Sequence, residues 1–159
     1  MPVNSKTIQG RRNLTFHSLD DVVTDVETLV ASPATRTIGN WPLVKLITHL
    51  TQTIDGSIDG FTMKAPLVIR LVMPLFKGRF LKASKMKPGI ILPKSNERAA
   101  FPEAASVQEA LRDLRRAVER TRTESMTANH PAFGKMTNDE WNTVHLRHSE
   151  MHLSFALPE

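Results

Sequence analysis

Thr137-Asn-Asp-Glu-Trp-Asn-Thr-Val-His145-Leu-Arg-His148-Ser-Glu-Met-His152-Leu-Ser-Phe155 is the stretch on which the reading of this chain turns. Thr137 with Glu140 three positions on forms a capping box. Asp139 and Glu140 fall in the first turn, where the positive end of a helix favours acids, and Pro158 follows. The spacing predicts a helix from Thr137 to about Phe155. With His148 as origin and ~100° per residue, His152 lies at ~40° and His145 at ~60°. Trp141, Val144, Met151 and Phe155 lie within ~60° on either side of that origin, so three imidazoles share the apolar stripe. A bare ring nitrogen in a core costs roughly 1 to 3 kcal/mol, so each ring needs a hydrogen-bond partner or a metal.

The same punctuation recurs upstream. Ser18 to Asp21 reads as a capped start, followed by Leu19, Val22, Val23, Val26, Leu29 and Val30 at helical spacing and a stop before Pro33. Gly39 and Asn40, then Pro42 in the first turn, open a second helix whose Leu43, Leu46, Ile47, Leu50, Ile54 and Ile58 continue to about Gly60. A third segment, Pro66 to about Phe80, is apolar all round and is expected to be buried or interrupted, with Pro74 ending or kinking it. Ser106 to Glu109 begins a surface helix. Its Val107, Ala110, Leu111, Leu114, Ala117 and Val118 lie opposite Arg112, Arg115, Arg116, Glu119 and Arg120.

With 159 residues, seven glycines and no tyrosine, the chain is expected to be one all-α domain over residues 1–159. It reads as a helical bundle, with residues 1–12 a loose N-terminal arm and a long connector before the helix that starts near Ser106.

Composition excludes several chemistries. Without cysteine there is no disulfide, thiolate ligand or cysteine nucleophile, and any metal must be held by His, Asp or Glu. Met1 to Arg12 is polar, and the longest apolar run, Ala65 to Phe76, contains Arg70 and two prolines and is too short to span a bilayer. A cytoplasmic protein without a membrane partner is expected, and the apolar surplus of that run fits a homodimer. Phe133-Gly134-Lys135 lacks the upstream glycine of a phosphate loop, and Gly56 to Gly60 lacks the order of a hydrolase elbow. The net charge of +5 is concentrated in Lys77 to Arg98, which holds seven basic residues against Glu97 alone. Because that charge sits on a connector broken by Pro88, Gly89 and Pro93 rather than on a helix or groove with basic and aromatic residues interleaved, nucleic acid is not the expected partner.

His148 and His152, at i and i+4, can reach one ion. Glu150 lies ~160° from each of them and so cannot be a protease-type base. A third ligand has to come from another helix, and His49 is the mid-helix candidate. It stands ~130° from the centre of its own helix's apolar stripe, which points it at a shared seam or the mouth of a bundle. From the residues alone, metal ligands and hydrogen-bonded core histidines both remain open.

Gly39-Asn40-Trp41, His49-Leu50, Lys87-Pro88-Gly89, His130-Pro-Ala-Phe-Gly134, Glu140-Trp141 and His148-x-x-x-His152-Leu153 occur in this order from about Arg12 to Phe155. Jointly they resemble the uncharacterised bacterial branch of the DinB/YfiT-like superfamily, domain of unknown function 1569. The resemblance implies an up-down four-helix bundle. It also implies a divalent metal, nickel or zinc, held by one histidine of an early helix and a His-x-x-x-His pair of the last, here His49, His148 and His152. Members of the superfamily include metal-dependent transferases and isomerases that use small thiols. The function it implies is therefore an uncharacterised metal-dependent transferase or hydrolase-like enzyme acting on a small molecule.

Because the chain has no cysteine, any thiol would be an exogenous cosubstrate, with Arg70 or the basic connector holding its carboxylates and His145 or His130 relaying a proton. No catalytic residue is assigned. The rival reading is a non-catalytic ligand-binding or stress-associated bundle whose histidines are structural. A third reading, binding of an anionic surface through Lys77 to Arg98, predicts a steep dependence on salt.

Overall fold

The structure, a computed structural model, describes residues 3–62, 65–88 and 106–158. The chain is mostly helical: α1 (Leu19–Ala31), α2 (Leu43–Asp59), α3 (Leu67–Lys82), α4 (Val107–Thr123) and α5 (Asn138–Leu153). One small antiparallel sheet joins β1 (Arg36–Thr37) to β2 (Ala156–Leu157), in the register Arg36 to Leu157 and Thr37 to Ala156. The basic and proline-containing stretch of 89–105 lies outside the described residues.

Capping sets the helix starts. Ser18 Oγ accepts from the Asp21 amide at 3.1 Å while Asp21 Oδ2 accepts from the Ser18 amide at 3.0 Å. Thr137 and Glu140 make the same reciprocal pair at the head of α5. Each such cap is worth about 1 kcal/mol. Pro42 stands at the N-cap of α2, and α2 ends at Gly60, whose φ of +95° places it in the left-handed half of backbone space that glycine enters without strain.

Two apolar clusters hold these helices together. The larger unites Val22, Val26 and Leu29 of α1, Ile47, Leu50 and Ile54 of α2, Leu114, Ala117 and Val118 of α4, and Leu153 at the end of α5. The second gathers Met126, Phe133, Met136, Trp141 and Val144, with Met73, Phe80 and Leu81 of α3 packed against it. Helix α2 is packed by α4 and also by α5, so Leu46 to Thr51 is buried without a break.

The third segment departs from expectation in both respects. Pro74 lies inside α3 and does not end it, and the helix has no fully buried residue. The carbonyl that Pro74 deprives of a donor is that of Arg70; both residues are exposed, so water can satisfy the group. Among the described residues, the Met73, Phe80 and Leu81 side of α3 packs against the rest, anchored by Lys77 Nζ, which donates to Glu140 Oε2 at 2.9 Å. Lys77 and Arg79 fall within the span expected for this segment, and the helix runs on to take in Lys82 of the basic stretch.

The small sheet positions the functional residues. Besides the β1–β2 pair, the Ile38 amide donates to the Phe155 carbonyl and the Arg12 amide to the Ser154 carbonyl, both at 2.9 Å. The chain just after α5 is thereby fastened to the segment that enters α2, and the C-terminal turns of α5 lie against the first half of α2. The Arg12 guanidinium adds an ion pair to Asp25 at 2.6 Å and a bond to the Leu153 carbonyl at 3.1 Å.

Candidate metal centre

His49 projects from the buried middle of α2, and His148 and His152 project from one face of α5 a helical turn apart. His49 and His152 are buried, 8% and 9% exposed, and His148 is half-buried. Their Nε2 atoms converge: His148 Nε2 lies 3.1 Å from His49 Nε2 and 2.9 Å from His152 Nε2. All three ligand atoms fall within 4.8 Å of one another. The rings stand nearly at right angles, at 72° for His49 and His148, 72° for His49 and His152, and 87° for His148 and His152. The shared seam expected for His49 is the one between α2 and α5. Its distance from the apolar stripe does not bring it to a mouth, because α2 is covered on that side as well.

This geometry is awkward for protons alone. Each Nε2 offers one in-plane lone pair or one N–H, so His148 Nε2 can engage its two neighbours only by sharing a single proton or a single lone pair between them. A cation placed among the three would receive all the lone pairs at once. Arms of about 2.1 Å would set tetrahedral N···N edges of ~3.4 Å, close to the 3.1 and 2.9 Å found. The donor set therefore fits a divalent ion of the imidazole-preferring kind.

The two rings of α5 are kept in the form a metal requires. Burial first, then the neighbouring His152 and His49, holds His148 well below the ordinary histidine value. For His152 the causes are burial, then His49, then the Arg11 guanidinium. Neutral imidazole is the ligand form.

Two residues to which the sequence reading gave no role build the wall of the cluster. Trp41 stacks on His152 with centroids 5.1 Å apart and planes 9° from parallel, and it meets His49 edge-on at 5.4 Å. Arg11 lies over the Phe155 ring at 4.2 Å, donates to Ser154 Oγ from Nε and Nη2, and donates to the Met151 carbonyl at 3.3 Å. It thus caps the negative end of α5 beside His152. Trp41 stood in a recognisable motif, but no local signal announced Arg11, whose partners are some 140 residues away in sequence.

The other sequence candidates lie elsewhere. His145 is 1% exposed and its Nε2 is 3.1 Å from Ser57 Oγ. Ser57 spends its own proton on the Ile54 carbonyl at 2.6 Å, so His145 donates from Nε2 as a neutral ring. Burial, then His130, pushes its pKa down to about 3. His130 turns its Nδ1 to accept from the Ala132 and Phe133 amides, each at 3.1 Å, inside a tight loop closed by Gly134, and burial lowers it to about 4. Trp141 has ring contacts with both His130 and His145. Glu150 is buried on the far side of α5, accepting from the Phe16 amide at 2.9 Å and from Arg147 at 2.8 Å, as its angle predicted.

These features define a helical protein with a buried three-histidine cluster able to hold a metal ion. Residues 8–159 match the family described as protein of unknown function (DUF1569), and the chain belongs to that family. No curated protein and no solved structure matches it. Among the described residues, no helix is long and apolar enough to cross a membrane.

Proposed function

We propose that the chain is a divalent-metal protein that binds one nickel or zinc ion through Nε2 of His49, His148 and His152. In this reading it works as a thiol-dependent transferase or hydrolase-like enzyme on a small molecule, within an up-down four-helix bundle of the DinB/YfiT-like kind. The observation that carries the reading is the convergence of three imidazole nitrogens from α2 and α5. A divalent ion there supplies Lewis acidity that favours ionisation of water or of an incoming thiol near neutral pH.

The chain's own groups do the rest. Trp41 closes the His49 and His152 side with apolar surface. Arg11, with no acidic partner among the described residues, lends positive charge beside His152 and can attract an anionic substrate group. The absence of cysteine makes any thiol a cosubstrate that must be supplied.

Calorimetric titration with nickel and zinc tests the metal. The wild type is expected to take up one equivalent, and His148→Ala and His152→Ala to weaken uptake by roughly 100-fold. Equal binding by all three rejects the site. A screen of the metal-loaded protein with and without small thiols then tests the reaction class. The hydrogen-bond-length contacts at 3.1 and 2.9 Å also support a second reading, structural histidines in a non-catalytic ligand-binding module. Tight binding of an apolar ligand that survives chelation and all three His→Ala changes would favour that reading.

A further inference from the structure

Helix α3 carries almost all of the exposed apolar surface of the described chain. Leu67, Val68, Leu71, Val72, Leu75 and Phe76 are all exposed, Leu75 by 82% and Val68 by 71%. On a 100° wheel with Leu67 at the origin they fill a continuous arc of ~180°, and Met73, Lys77, Phe80 and Leu81 occupy the opposite side, turned to the protein. Arg79 and Lys82 fall at ~120° and ~60°, so the outer face is apolar for three turns and cationic in its last. A contiguous apolar patch of this kind on a folded chain marks an interaction surface.

The charge around it selects the partner. Residues 65–88 contain six basic residues and no acid, so the other residues of the chain sum to −1 against its total of +5. Lys77 is committed to Glu140, and Lys85 reaches Asn13. Arg70, Arg79, Lys82 and Lys87 have no acidic partner among the described residues. A second copy docked by the same face would bring only further cations to it, whereas an anionic surface complements both its apolar centre and its rim. At 16 residues the helix is about 24 Å long, too short to span a bilayer and suited to lying in its interface.

We propose that the outer face of α3, with Arg79, Lys82 and Lys87 at its C-terminal end, docks the protein on the surface of a bilayer of anionic phospholipid. Leu71, Leu75 and Phe76 enter the acyl boundary while the cations meet headgroup phosphates. This docking does not depend on the histidine cluster.

Cosedimentation of the full chain with phosphatidylcholine vesicles, with and without phosphatidylglycerol, tests it. The wild type is expected to partition roughly tenfold or more in favour of the phosphatidylglycerol vesicles, less as salt is raised. The double change Leu71→Glu with Leu75→Glu is expected to abolish partition while leaving helix content and melting unaltered, since both side chains are exposed. Arg79→Glu with Lys82→Glu is expected to remove the lipid preference alone. Absence of wild-type partition, or partition unchanged by either pair, overturns the proposal. So does a concentration-dependent dimer in sedimentation velocity that the Leu pair dissolves, which would assign the face to a second copy.

Discussion

Helix α5 presents the same side chain in two settings a single turn apart. His145 faces a hydroxyl that can accept its proton, and beside it lies Trp141. His148, three residues on, turns its Nε2 to the Nε2 atoms of His49 and His152. Both settings are desolvated enough to keep the rings neutral, so the difference is one of partners. A buried imidazole given a hydrogen-bond partner completes a core. Three imidazoles that turn their Nε2 atoms on one another form an incomplete coordination shell.

The contrast is most sharply tested by exchanging the two settings under metal. At a free ion concentration of about 100 times Kd, wild-type stability is expected to rise by ~2.7 kcal/mol. The rise is expected to vanish in His148→Ala and persist in His145→Ala, followed by thermal or urea melts with and without zinc. Without metal the order reverses. His145→Ala empties a fully buried site and takes away the donor to Ser57 Oγ, and is expected to cost about 2 to 4 kcal/mol, whereas His148→Ala removes a half-buried ring from a crowded cluster and is expected to cost nearer 1.

Acid should expose what the two settings share. Because burial lowers these histidines in the folded chain, the unfolded chain binds more protons below its ordinary value of about 6.5. Stability is therefore expected to fall as pH drops through that value, and to keep falling toward pH 4 for His130 and pH 3 for His145. Urea titrations at pH 7, 6 and 5, read for the wild type and for His145→Gln, check both the sign and the loss of one proton's worth of slope. The smallest expected effect is that of Thr137→Ala, about 1 kcal/mol from the loss of the α5 cap, with metal affinity unchanged.

Local chemistry made much of this fold legible. The caps at Ser18, Ser106 and Thr137 stand where the side-chain pattern put them, because the bonds they make span three residues. The pairing of His148 with His152 follows from helical repeat alone. What local pattern could not convey was where helices sit relative to one another. The burial of His49 depends on α2 being packed by both α4 and α5, and the outward face of α3 depends on how little of it the other described residues cover. Arg11 and Trp41 were invisible as wall residues for the same reason: the backbone bonds that bring their segments to the end of α5 join distant parts of the chain.

The most direct measurement is a long-range nitrogen–proton correlation spectrum of the imidazoles, recorded before and after one equivalent of zinc. The account predicts that the Nε2 resonances of residues 49, 148 and 152 move together and saturate at one equivalent, while those of His130 and His145 stay in place. Unmoved Nε2 resonances in the trio, or an equal displacement of His145, would contradict it.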